Sequence, residues 1–260
     1  MPTIVVCGAG PGLGRSVARR YGREGYEVVL VARHAEPLES FAAELAEAGI
    51  TAHPLPSDLS DPDDMGDLAV RIRQLAGDPD VLYYAPVAAG MTFVPAAKLT
   101  AEAVAANTRL LLESLVVLVG EFLPHLLEQR SGAILTAQGS TALTGRPGMS
   151  GPGPAMAAQR NYLQALEKEV AGSGVFVGRL YISALIKNSA IDQAMQQARA
   201  AGGKALPAAA LIDPDGLADK LWRMHHSRRP HETVAPAWGR IVFPLMSSGP
   251  VRRLMARRDS

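Results

Sequence analysis

Cysteine is almost missing from this chain: among 260 residues there is one, Cys7, set inside an apolar run. An internal disulfide is therefore excluded, and a reducing compartment such as the cytoplasm is the expected setting. Charge of one sign is not in excess either. With a formal net charge of +1 at pH 7, no long-range field would draw the protein to nucleic acid or to an anionic membrane. The longest apolar run, residues 110–119, is interrupted by Glu113 and is too short to span a bilayer, and the N-terminus carries no signal-peptide pattern. His225, His226 and His231 have no carboxylate or cysteine neighbours at metal-ligand spacing, so no metal site is expected. Repeats and linker-like stretches are absent too. A single domain over residues 1–260 is expected, with hydrophobic residues at 48% and charged ones at 20% allowing a large core.

What is present starts at residue 4. Ile4, Val5 and Val6 form an apolar run that breaks into Gly8, Gly10, Pro11, Gly12, Leu13 and Gly14, then resumes at helical spacing through Val17, Ala18 and Tyr21. This reads as strand, tight turn and helix. Such a turn brings backbone N–H groups and the positive end of a helix dipole to a pyrophosphate, and the glycines allow both the sharp turn and the close approach. Strand patterns at residues 27–31, 51–56, 80–84 and 132–136, and another starting at 174, alternate with helical ones. Leu38, Phe41 and Leu45 mark one of those helices, Thr100 with Glu102 starts another, and Asp213-Pro214-Asp215 caps the last, which runs through Leu217, Leu221 and Trp222. The class is α/β.

The spacing of Gly8, Gly12 and Gly14, G-x-x-x-G-x-G, resembles that of the short-chain dehydrogenase/reductase family, and the resemblance covers roughly residues 1–225. It implies a Rossmann-type doubly wound, mostly parallel sheet with helices on both faces, and a dinucleotide cofactor. Gly8, Gly10, Pro11, Gly12, Leu13 and Gly14 would cradle the pyrophosphate. Arg33, at the end of the second strand, stands where the family's acidic residue holds the 2′-hydroxyl of NAD; an arginine there suits the 2′-phosphate, so NADP(H) is the expected cofactor, unless Arg33 is a solvated surface residue. Pro11 occupies the place of an occasional second basic residue. Asp58 and Leu59 would lie beside the adenine, with Asp58 reading its amino group, capping the helix that starts near Pro62, or both. Ile186 would hold the nicotinamide carboxamide through its backbone.

The chemistry motifs depart from the family. Its Asn-Asn-Ala-Gly after the fourth strand is replaced by Tyr84-Ala85-Pro86-Val87. Its usual spacings place the relay asparagine at Leu111, the serine at Gly139, and the tyrosine and lysine at Pro152 and Met156. Asn107 and Ser140 are the nearest substitutes. Ser140 and Tyr84 are the candidate proton sources, since both lie at carboxyl ends of strands, although Tyr84 could simply pack and Ser140 could belong to a Gln-Gly-Ser-Thr turn. The expected activity is NADP-dependent reduction or oxidation of an uncharged small organic molecule (carbonyl, imine or activated alkene) without the usual Tyr/Lys relay. A non-redox enzyme of cyclase or isomerase type and a silent NADP(H)-binding sensor or partner subunit stay open beside it. Residues 187–214 stand where the family has a substrate lid. Residues 238–260 form an irregular end whose Val251, Leu254 and Met255 alternate with arginines. Leu110, Leu111, Leu115, Val116 and Leu118 are expected to build core and a helix-to-helix contact of a homodimer or homotetramer.

Overall fold

The computed structural model describes residues 1–87, 92–193, 196 and 211–237. Most of the expected lid and all of the expected irregular C-terminal segment lie outside them. Seven parallel strands form the sheet, in the order β3-β2-β1-β4-β5-β6-β9: β1 Thr3–Cys7, β2 Glu27–Ala32, β3 Ala52–Pro56, β4 Val81–Tyr84, β5 Ala133–Gly139, β6 Phe176–Ile182 and β9 Glu232–Ala235. A separate parallel pair joins β7 Leu185–Ile186 to β8 Leu211–Ile212.

The apolar runs are explained by burial on both faces. Val5, Cys7, Val29 and Val31 point to one face, against α3 (Met65–Ala76), α5 (Ser114–Gln129) and α6 (Gly153–Glu169). Ile4, Val6, Val28 and Leu30 point to the other, against α1 (Leu13–Arg23), α2 (Ala35–Glu47) and α7 (Pro214–Ser227). The strand order reverses between β1 and β4, which opens a crevice at their carboxyl ends. That crevice positions the site.

α4 (Ala101–Thr108) begins at Thr100, whose hydroxyl oxygen accepts the Ala103 N–H at 3.2 Å. It runs through a π turn, Arg109–Glu113, straight into α5. The resulting helix is long and apolar enough, by length and composition, to cross a membrane, yet 44% of its most apolar window is buried inside the fold. Leu110, Leu111, Leu115 and Leu118 are core residues; Val116 faces outward.

α7 docks on α1 through aromatic rings. His225 stacks on Tyr21 with centroids 5.9 Å apart, and its Nδ1 lies 3.1 Å from the Tyr21 hydroxyl. Burial, with smaller contributions from the charges of Arg228 and His226, lowers its pKa from 6.5 to about 4. The unfolded chain therefore takes up this proton near its ordinary value while the native protein resists it, so stability falls as pH drops from 6.5 to about 4. The loss is about 3 kcal/mol. Thermal melts across that window should show His225→Phe to be less acid-sensitive than the wild type; parallel curves would refute this.

Candidate functional site

β1 ends at Cys7, and the chain turns at once. Gly8 (φ 99°) and Gly12 (φ 92°) adopt a left-handed backbone that other residues rarely take. The Gly8 and Ala9 N–H groups donate to Val31 O at 2.9 and 3.1 Å, tying the turn to β2. A Cβ on Gly14 would stand 2.0 Å from Gly8 O, so strand end and helix start touch backbone to backbone. α1 has no side-chain cap and no acidic residue in its first turn, which leaves its first amides and its dipole for an anion. A Cβ on Gly10 would meet nothing within 4 Å, while one on Gly12 would stand 3.2 Å from Ser189 Cα. Ser189 follows β7, so this segment, with half-buried Ile186, forms the far wall. These features fit a dinucleotide pyrophosphate. Leu13 is buried in the core, so only its backbone is offered.

Arg33 is exposed just beyond β2, and Asp58 lies past the end of the adjacent β3. Asp58 accepts hydrogen bonds from the Ser60 N–H at 2.9 Å and the Ser60 hydroxyl at 2.8 Å. The Ser60 backbone bond chiefly holds its carboxyl below the ordinary value; burial opposes, and the Ser60 hydroxyl and the charge of Arg33 add to the lowering. Asp58 does not cap the helix starting at Pro62. That cap position is Asp61, without a side-chain bond. Leu59 is buried in the core. Sequence reasoning missed Arg15. Its Nη2 donates to Pro37 O at 3.2 Å in the first turn of α2, whose N-terminus has no side-chain cap. Its Nε is buried and, among the described residues, makes no hydrogen bond.

At the carboxyl end of β5, the three atoms nearest a Cβ on Gly139 would be Thr141 Oγ1 at 3.4 Å and Met156 Sδ and Cε at 3.6 and 3.9 Å. Residues 139, 141 and 156 therefore meet. The hydroxyl at that meeting point belongs to Thr141. Ser140 is buried and opens the single 3-10 turn Ser140–Ala142, one residue before that hydroxyl. Past Thr141, a cavity of about 420 Å³ opens between Ala96, the β5–α6 loop and the start of α6, with Arg146 in its lining.

The sequence profile of the short chain dehydrogenase family matches residues 2–206. The chain belongs to that family. Among curated relatives, this short-chain dehydrogenase is 29% identical to serine 3-dehydrogenase of Agrobacterium fabrum over 176 residues, 67% of this chain and 68% of that protein. A short-chain dehydrogenase of Sphingobium yanoikuyae, solved in complex with NADPH, superposes with a TM-score of 0.74 at 27% identity, over 98% of this chain and 96% of the other. A putative NAD(P)-dependent gluconate 5-dehydrogenase of Beutenbergia cavernae with bound NADP shares the fold, at a TM-score of 0.77 and 24% identity over 93% and 97% of the two chains.

Within this dehydrogenase, two expectations need correction. Tyr84 is 1% exposed, and its hydroxyl donates to Leu110 O at the π turn. Burial above all, then Cys7, raises its pKa well above the phenol range. It is a packing residue, with its proton committed to the backbone. Asn107 donates through Nδ2 to Ala103 O at 2.7 Å inside its own helix. At the asparagine position, Leu111 is buried in the π turn and its carbonyl accepts from Gln159 of α6.

Proposed function

We propose that this short-chain dehydrogenase is an NADP(H)-dependent oxidoreductase working without a tyrosine–lysine proton relay. The observation that carries the reading is the glycine turn locked by the Gly8–Gly14 backbone contact at the mouth of an uncapped helix. The NADPH held by the Sphingobium relative supports it. The first amides of α1 hold the pyrophosphate. Arg33 and Arg15, with the start of α2 between them, receive the 2′-phosphate; Asp58 keeps a carboxylate at the adenine end, and the Ile186 backbone meets the carboxamide. When bound, the nicotinamide exchanges a hydride with the acceptor.

Pro152 and Met156 offer neither a phenol nor an ammonium group. The Thr141 hydroxyl donates to Met156 Sδ at 3.6 Å, a weak bond that an acceptor oxygen or nitrogen would replace, but an aliphatic alcohol is too weak an acid to stand in for a lowered-pKa tyrosine. Acceptors that need little acid assistance follow: imines, activated alkenes, or carbonyls protonated by water. Buried, free Cys7 accords with a cytoplasmic setting. We also propose a homo-oligomer through α5, whose Val116 and Leu127 are exposed on one face. Light scattering on the titrated sample reads that state.

The test is a calorimetric titration with NADPH and NADH. Arg33→Ala should raise the Kd for NADPH about 10- to 100-fold, as expected for a lost charge-assisted bond, and leave NADH unchanged. Equal effects on both would remove the phosphate assignment.

A further inference from the structure

We infer that the cavity beside Thr141 takes a neutral acceptor with an apolar body and turns away polyols and carboxylates. The inference deepens the proposed activity and rests on the neighbouring crevice as the place of reaction.

At about 420 Å³ the cavity falls in the ordinary range of small-molecule sites, roughly 300–1,000 Å³. Ala96, Pro147, Pro154 and Ala157 give it apolar walls, and the two prolines have no N–H to offer. Its stronger polar groups are already used. Arg146, the one charged residue among those described in the lining, is engaged with a partner of its own. At the start of α6, Gly153 N–H donates to Ser150 O at 2.8 Å and Met156 N–H to Pro152 O at 3.0 Å. Ser150 N–H donates to Val94 O at 2.9 Å. Among the side chains lining the cavity, two hydroxyls remain for a ligand, those of Ser150 and Thr141. Thr141 is buried, makes the weak contact with Met156 Sδ, and connects the cavity to the place where residues 139, 141 and 156 meet.

Two hydroxyls suit one or two accepting atoms. A carboxylate would give up its water for a cavity without a free cation, and a polyol would leave most of its hydroxyls unpaired. A hydrocarbon ring or chain incurs neither cost and gains from the walls. The shape is also fixed. A Cβ on Gly151 (φ 38°) would stand 2.1 Å from Thr92 O and 3.4 Å from Phe93 Cα, so the two loops flanking the cavity touch through their backbones. Phe93, on that seam, is 48% exposed and adds an aromatic side chain to the apolar surroundings.

Acetophenone, benzoate and D-xylose are close in size and differ in polarity. In NMR titrations of the purified protein, with and without NADPH, acetophenone should bind at least about tenfold more tightly than either of the others, the penalty expected for leaving polar groups unpaired. Thr141→Val should weaken acetophenone about two- to tenfold, one neutral hydrogen bond, while Thr141→Ser keeps the wild-type value. Ala157→Leu, at an exposed position of α6 that lines the cavity, should weaken it at least about tenfold by filling the space. All three variants should leave the Kd for NADPH unchanged. Equal binding of the three probes, a preference for benzoate or D-xylose, or binding of none would each overturn the inference. So would wild-type acetophenone affinity in Ala157→Leu or in Thr141→Val. Should Thr141→Val fail to fold, the wild-type probe comparison and Ala157→Leu decide. A missing acetophenone preference with NADPH binding intact counts against the apolar acceptor alone. Failure of NADPH to bind while acetophenone is still preferred counts against the cofactor reading alone.

Discussion

Alanine at position 14 is expected to raise the Kd for NADPH about 100-fold or more, close to 3 kcal/mol of binding, and to lower the melting temperature as well. The added Cβ would stand 2.0 Å from Gly8 O and 3.1 Å from Ala9 Cα. Both neighbours are backbone, so neither can swing aside as a side chain would. Either α1 slides along the sheet or the turn opens, and each moves the amides that are to face the pyrophosphate. Overpacking of this kind costs about 1–3 kcal/mol, and occasionally more. Gly10→Ala is the control, because its Cβ would enter open space. Its stability should stay within about 0.5 kcal/mol of wild type, so any loss of NADPH affinity there reports a ligand close to the backbone. Wild-type affinity in Gly14→Ala would show that the turn does not carry the cofactor.

The sheet was legible because its strands are buried on both faces, and unbroken runs such as Val28–Val31 have few other uses. The glycine turn was legible because steric closeness leaves a composition: only glycine permits the contact between residues 8 and 14. The positions of Arg33 and Asp58 just past the ends of β2 and β3 were legible in the same way. For Tyr84 the sequence leaves proton source and packing residue both open, because the destination of its hydroxyl depends on the π turn at Arg109–Glu113, and that extra residue in one helical turn leaves no mark on an apolar periodicity. Thr141 was missed for a related reason. Counting along a strand gives the position of Gly139, but the 3-10 turn after it decides which hydroxyl folds back. Arg15 sits at the start of α1, and its reach to α2 is a tertiary fact. In each case the missing information lies in an irregular turn or between elements, where no period connects residue number to direction.

A buried ion pair supplies the largest stability effect expected of one residue. Arg179 of β6 is 2% exposed. It pairs with Glu167 of α6, donates to Leu163 O at 3.1 Å, and holds Nε 3.5 Å from Glu232 Oε2 on β9. Arg160 grips the same Glu232 with bonds of 2.9 and 3.1 Å. Burial alone would raise the Glu232 carboxyl; the hydrogen bonds from Arg160 and the charges of Arg160 and Arg179 outweigh it and hold the pKa below its ordinary value. The cluster fastens the edge strand β9 to α6. Arg179→Met keeps most of the hydrocarbon packing but leaves the half-buried Glu167 with His231 Nδ1 at 3.9 Å as its remaining basic neighbour and strips Glu232 of one cation, a change that costs about 3–5 kcal/mol when one partner of a buried pair is removed. For a chain of this size that is roughly 10 °C in melting temperature. Arg179→Met/Glu167→Met also removes the Glu167 carboxylate, so the double variant should regain part of the loss. A single variant melting within about 2 °C of wild type, less than 1 kcal/mol for a chain this long, would show that water or side-chain rearrangement already compensates these charges. If the double variant is no more stable than the single, the cost lies in packing around Arg179 rather than in an uncompensated charge.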